Sequence, residues 1–324
     1  MLDLVQTWKL FADLERGVGG PDSQIPTVST AIVRATKDPA ERAWMAGCFL
    51  APYTVAGGAA IWGTWPRDLA ILEPDAVCDW LKKNWEGIPI RRERRAVWKA
   101  EKMTTSLLSY GEWARDQLPF LEATGCTYEE AFKDINQHVK FCGRYGAMKV
   151  LEVLHRTGVL ECSQDSICPY GAWSPRKTLS MMYDPDHLYK SDRAEYIEEA
   201  VGFSEWAKQL IGPETWFTTE TLLCNYRQCL KGRYPGQSHD SELARFNKAA
   251  AHFGEDYLLR NVDFFEIRRE LFPPEILGEV QGWDGPRKPL DVPVEERGYI
   301  WSDMLYDYNL TEQFSTLDDP IERG

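Results

Sequence analysis

The sequence predicts an all-α protein of about ten helices, on three observations. Runs of β-branched residues alternating with polar ones are nearly absent, and no Asn-Gly or Asp-Gly turn joins two such runs. Apolar residues instead recur at three- and four-residue spacing, in segments bounded by capping residues, glycines and prolines.

Taken in order, Met1 to Arg16 (MLDLVQTWKLFADLER) mixes polar and apolar residues and carries Asp3, which predicts an amphipathic helix and not a signal peptide. Ala43 to Pro66 has no formal charge, a length that would also span a bilayer. Gly47, Gly57, Gly58, Gly63 and Pro52, with few bulky apolar residues, favour a buried helix broken near Pro52. Pro74-Asp75 opens a helix with Val77, Trp80 and Leu81 on one face, closed by Gly87 and Pro89. Thr127 and Glu130 have capping-box spacing ahead of Phe132, Ile135 and Val139. Arg144 to Arg156 repeats Tyr145, Met148, Leu151 and Leu154 and stops at Gly158. Ser174-Pro175 reads as a cap followed by proline at the first helical position, with Leu179 and Met182 inward and Asp184-Pro185 as the end. Asp192 starts a helix with a stripe from Tyr196 to Ile211, ended by Gly212-Pro213. Pro213-Glu214 begins the next, running to about Lys231. Ser241 to Phe253 and Val262 to Leu271 complete the set, before Pro273-Pro274. The turn-rich Asp284 to Pro293 divides a helical domain over 1–290 from an acidic C-terminal extension over 291–324.

Composition bounds function. With 324 residues, 44% hydrophobic and 27% charged, the chain can bury a large core, which excludes wholesale disorder and a disulfide-stapled miniprotein. Fifty acids against 37 bases leave −13, so a polyanion partner requires a local basic patch. Val294 to Gly324 has eight carboxylates against two arginines, a net of −6, whereas Arg91 to Lys102 (RRERRAVWKAEK) has six bases against two acids, a net of +4. The basic segment, with Arg94 and Arg95 at its centre, is the candidate DNA-facing surface; the alternative is a solvated helix laced with Arg–Glu pairs. Eight cysteines without a CxxC pair or a secretory lead point to reduced thiols and a cytoplasmic location, and their spacing shows no zinc site.

Motifs for nucleotide hydrolysis (GxxxxGK[ST]), hydride transfer (GxGxxG), metalloproteolysis (HExxH) and serine hydrolysis (GxSxG) are missing, and the five histidines are scattered. The densest polar grouping is Thr218 to Asp240. On a helix, Glu220, Cys224, Arg227 and Lys231 share one face, and the chain continues through Arg233 and Tyr234 to Asp240. Such an arrangement can hold an anionic leaving group with Lys231 and Arg233 while Glu220 or Asp240 handles a proton. The bland alternative is an exposed salt-bridge stripe followed by a loop. Arg176 and Lys177, after Trp173, place two cations in a first helical turn, where an anion would offset the macrodipole. Gly143-Arg144-Tyr145-Gly146 puts a further arginine beside an aromatic ring at a helix start.

At these segments the sequence resembles a bacteriophage family, the amino acid:DNA transferases, also described as α-glutamyl/putrescinyl thymine pyrophosphorylases. The resemblance rests on the Gly143-Arg144-Tyr145 helix start, the Trp173 to Arg176 entry, and the Glu-Thr-x-x-Cys-x-Tyr run that leads to Lys-Gly-Arg-Tyr-Pro-Gly and Asp240. It covers the central third of the chain. It implies that pyrophosphate on 5-pyrophosphoryloxymethyl-deoxyuridine in DNA is replaced by an amine from an amino acid or a polyamine, in host cytoplasm if the chain is phage-encoded. Arg144, Arg176, Lys231 and Arg233 would then face pyrophosphate, with Lys177 and Arg227 beside them. Glu220 or Asp240 would be the base, and Tyr145, Trp173, Tyr226 or Tyr234 would stack on an extruded base. A divalent ion such as Mg2+ would help neutralise pyrophosphate, although no ligand set is legible. The competing readings are a glycosylase-like helical enzyme, for which the usual helix-hairpin-helix glycine loop is not evident, and a non-catalytic adaptor docking a basic partner through its acidic tail.

Overall fold

A computed structural model of the chain describes residues 4–17, 19–65, 73–183, 187–229 and 237–272. Among them it is all-helical, without strands. The helices are α1 (Leu4–Gly17), α2 (Gln24–Ala35), α3 (Pro39–Leu50), α4 (Val55–Thr64), α5 (Pro74–Asn84), α6 (Ala100–Asp116), α7 (Leu118–Thr124), α8 (Tyr128–His138), α9 (Gly143–Arg156), α10 (Trp173–Tyr183), α11 (Ala194–Ile211), α12 (Trp216–Cys229), α13 (Gln237–Phe253), α14 (Glu255–Asn261) and α15 (Phe264–Leu271). Two 3-10 turns, Trp85–Gly87 and Arg92–Val97, connect α5 to α6. The helices beyond those read from the sequence are α2, α6 and the short α7 and α14. The acidic extension over 291–324 lies outside the described residues.

Contacts divide the described chain into two compact units. The first contains the described parts of Met1–Asp22 and Ser166–Asp240. Its core is Trp8, Phe11, Leu179, Ala200, Ala207, Leu222, Leu223 and Tyr226, drawn from α1, α10, α11 and α12. Polar groups with no water to turn to are matched across helices. The Trp8 indole donates to the Ala207 carbonyl at 2.9 Å, and the Thr178 hydroxyl donates to the Leu223 carbonyl at 2.7 Å, tying α10 to α12. Arg16 donates to Glu214 at 2.6 Å, so the N-terminal helix is latched to a segment almost two hundred residues away.

The second unit contains Ser23–Asp165 and Ser241–Phe272. The uncharged stretch forms the buried α3–α4 hairpin, broken at Ala51 to Thr54 around Pro52 as the sequence suggests. No helix among the described residues is long and apolar enough to cross a membrane. The small residues serve close approach: a Cβ on Gly47 would lie 2.2 Å from the Tyr110 ring, and one on Gly58 would lie 2.4 Å from the Phe49 Cα. Because that second neighbour is backbone, Gly58→Ala forces the hairpin apart despite the better helix propensity of alanine. We expect it to destabilise the protein by about 1–3 kcal/mol, read from the denaturant midpoint; an unchanged or raised midpoint would show that the hairpin yields freely.

Helix ends follow the chain's capping chemistry. Asp38 accepts from the Ala40 N–H at the start of α3, Thr127 and Glu130 form the expected capping box on α8, and Gly158 adopts a left-handed conformation just after α9. One entry differs. Helix α10 begins at Trp173, and the Ala172 carbonyl already accepts from the Arg176 N–H at 3.1 Å, so Ser174 is helical and not the cap. Pro175 then lies inside the first turn, where it has no N–H to offer an anion.

Candidate functional site

Helix α12 forms because Phe217, Leu222, Leu223 and Tyr226 bury one side against the first unit's core. Its polar stripe is interior too, in contrast to a solvated salt-bridge face: Glu220 is 0% exposed and Arg227 2% exposed. The Cys224 thiol, one turn along, donates to Glu220 Oε1 at 3.6 Å. Arg227 lies over the Trp173 ring at 4.6 Å, a cation–π contact that joins α12 to the first residue of α10. Tyr189 meets Trp173 edge-on at 5.8 Å, and Lys177 donates to the Tyr189 hydroxyl at 2.6 Å. One face thus holds a buried carboxylate, a buried guanidinium and a half-buried indole, with a second cation one turn further along α10. Burying such charges costs several kcal/mol each unless geometry and partners offset it. Chemically, the carboxylate can accept a proton, the cations can hold an anion, and the indole can meet a flat ring.

The expected site residues fall in different places. Glu220, Trp173, Arg176, Lys177, Tyr226 and Arg227 belong to the first unit; Arg94, Arg144 and Tyr145 belong to the second. Lys231, Arg233 and Tyr234 lie outside the described residues, as do the side chains of Arg95 and Asp240. Three expectations meet structural obstacles. Tyr226 is fully buried, its ring packs on Trp8 and Phe11, and its hydroxyl donates to the Leu4 carbonyl at 2.8 Å, so the fold leaves it no face for a stacked base. Arg176 is 1% exposed and spends its guanidinium on the carbonyls of Pro169, Leu188 and Ser191 and on Asp192, pinning the loop between α10 and α11.

Arg94 is the third. It is 5% exposed rather than solvent-facing, and it donates to the carbonyls of Ala51 (3.0 Å), Phe141 (2.9 Å) and Cys142 (3.1 Å) and to the Ser106 hydroxyl (3.2 Å). Burial lowers its pKa from the ordinary arginine value, although a guanidinium so bonded remains charged. Beside it is a cavity of about 20 Å³, room for one water, lined also by Gly47, Tyr110, Cys142 and Gly146. Burial raises the Cys142 thiol to about 11, against the weaker pull of Arg94.

A second polar cluster leaves no short-range signal in the sequence because it assembles three distant segments. Glu242 on α13 is 1% exposed; one oxygen accepts from the Val55 N–H at the start of α4 at 3.2 Å, and the other accepts from Arg245 at 2.8 Å. Arg91 approaches the same carboxylate at 3.8 Å, bonds Glu93 at 3.3 Å, and lies 5.2 Å from the Tyr53 ring centre. Burial disfavours the Arg91 charge, but Glu93, Tyr53, Glu242 and Tyr145 outweigh it and hold the guanidinium more firmly protonated than usual. Burial likewise opposes ionisation of Glu93, and Arg91 overcomes it, pulling that carboxyl below the ordinary range. Tyr53 has a left-handed backbone, φ 56°, uncommon for an aromatic residue, and its hydroxyl accepts from that of Tyr145 at 2.9 Å. Half-buried Tyr145 is therefore held by this cluster and follows Arg144, also half-buried, at the start of α9.

No group of three or more His, Cys, Asp or Glu among the described residues is placed to hold a metal ion. Comparison with curated proteins and with solved structures found no match. A family model described as amino acid:DNA transferase matches residues 36–234, more than half of the chain and inclusive of the α10–α12 face, the Arg94 clip and the start of α9. This protein belongs to the amino acid:DNA transferase family.

Proposed function

We propose that the chain replaces pyrophosphate on 5-pyrophosphoryloxymethyl-deoxyuridine in DNA with an amine supplied by an amino acid or a polyamine. Family membership implies a transferase acting on DNA with an amino acid substrate. The observation that carries the finer reading is the α12 face, where Glu220 is wholly buried two turns from Arg227 and the latter lies against Trp173. In the proposed step the amine lone pair forms a C–N bond at the exocyclic methylene carbon, the C–O bond breaks, and pyrophosphate departs with that electron pair. Glu220 accepts the ammonium proton, with Asp240 the other candidate base. Arg227 and Lys177, together with Lys231 and Arg233 from the segment after α12, balance the charge that grows on the leaving group. Trp173 offers a flat surface to the extruded base.

Arg233→Ala and Lys231→Ala are expected to slow turnover far more than they weaken DNA binding, because the charge they meet grows as pyrophosphate leaves. Single-turnover rates beside equilibrium titrations separate the two effects, and a loss confined to affinity would reassign both residues to backbone contact. The reaction itself is tested by pyrophosphate release from DNA carrying the pyrophosphorylated base. Release should require both that DNA and an added amine. Amine-independent release of a free base would favour a glycosylase-like enzyme, and binding without any release would favour an adaptor.

A further inference from the structure

The basic segment from Arg91 to Lys102 turns Arg91 and Arg94 inward, but Trp98, Lys99 and Lys102 face solvent. Trp98 is 50% exposed and Phe141 41% exposed; Phe120, Tyr170 and Trp206 are also exposed among the described residues, but without such a run of lysines beside them in the chain. Lys99 and Lys102 at the start of α6, and Lys140 beside Phe141, are exposed as well. Lys102 Nζ lies 5.5 Å from the Phe141 ring centre, which places the α6 start and the 140–141 loop on one surface. Arg94 fixes that juxtaposition by donating from the 3-10 turn to the Phe141 carbonyl. Phe141 itself has a left-handed backbone, φ 56°, a conformation an aromatic residue seldom adopts unless its surroundings impose it.

Of the nearby acids, Glu101 pairs with Lys82 at 3.2 Å and also feels Lys99, and Glu93 is drawn to Arg91, which leaves Lys102 and Lys140 as the less offset charges. An exposed ring against Lys102 at Phe141, with exposed Trp98, Lys99 and Lys140 next in the chain to these two segments, gives a local surface that fits a polyanion offering stacking surfaces, despite the net charge of −13. Lysines at the start of a helix are disfavoured by its dipole, and a phosphate there would offset both charges.

We propose that Trp98 and Phe141, with Lys99, Lys102 and Lys140, form the surface that grips the DNA substrate, the lysines on phosphates and the rings against bases at an opened step. This rests on the reading of the chain as a DNA-modifying transferase and assigns its DNA contact to residues outside the α12 face.

The test is fluorescence anisotropy of the full chain with a labelled unmodified duplex, between about 50 and 200 mM salt. For the double variant Lys102→Gln/Lys140→Gln, the slope of log affinity against log salt should shrink by about two. Trp98→Ala and Phe141→Ala should each bind about five-fold or more weakly with the slope unchanged. Because all four side chains are exposed, melting temperatures should stay close to wild type, which keeps a folding defect from imitating the result. Wild-type affinity and slope in the folded variants would overturn the proposal, as would a change confined to oligomeric state. An amine-transfer assay on the wild-type chain separates the two readings. Transfer with unaltered DNA binding in the variants removes this surface and leaves the transferase standing; lysine-dependent binding without transfer does the reverse.

Discussion

Replacing Glu220 with Gln is expected to lower the rate of amine transfer by about 10²–10⁴-fold while leaving shape and DNA affinity intact. An amine is protonated near neutral pH and cannot attack until it loses a proton, so a nearby carboxylate acts where free amine is scarce. Glutamine keeps the volume of the side chain in a place with no room for change, since Glu220 is 0% exposed and holds the Cys224 thiol at 3.6 Å. Raising the pH supplies free amine without enzymatic help, so the variant should recover part of its rate in alkaline buffer while wild type gains less. A wild-type rate in Glu220→Gln would remove the base from this position and leave Asp240 as the candidate. A variant that fails to fold would show that Glu220 is a structural partner within α12, and Glu220→Asp, which keeps the carboxylate, then tests whether any activity follows the charge.

Arg94→Ala should cost about 3–5 kcal/mol of stability, because the Ala51, Phe141 and Cys142 carbonyls and the Ser106 hydroxyl lose a charged donor at once. Urea unfolding measures it. Were Arg94 a phosphate contact on a solvated face, the same change would leave the unfolding midpoint within about 0.5 kcal/mol of wild type and act on the salt dependence of DNA binding alone. The two outcomes differ enough for one titration to decide between them.

Much of the fold can be read locally because helix ends are set by local chemistry. Thr127 with Glu130, Gly158 and Gly212-Pro213 act through their own backbone and near neighbours, and each ends or starts a helix as its sequence suggests. Helix α2 is harder to read. Its segment (QIPTVSTAIVRA) carries Pro26 and several β-branched residues, and burial of Ile25, Val28 and Ile32 overrides their weak helix propensity. The candidate site divides along the same line. Spacing alone places Glu220, Cys224 and Arg227 on one helical face. Spacing cannot say whether that face is wet or buried. Composition marks Arg91 to Lys102 as basic, yet only tertiary packing shows Arg94 bonding to carbonyls from two other segments while Trp98 and Lys102 remain outside. The Tyr53, Arg91, Glu242 and Arg245 cluster joins residues almost two hundred positions apart and leaves no short-range signal.

The most direct measurement is mass spectrometry of nucleosides from DNA bearing the pyrophosphorylated base, digested after incubation with the protein and a panel of amino acids and polyamines. The account predicts a new nucleoside whose mass equals 5-methylene-deoxyuridine joined to one of the supplied amines, formed in step with loss of the pyrophosphorylated nucleoside. Recovery of the pyrophosphorylated nucleoside unchanged with every amine, or of abasic sites in its place, would contradict it.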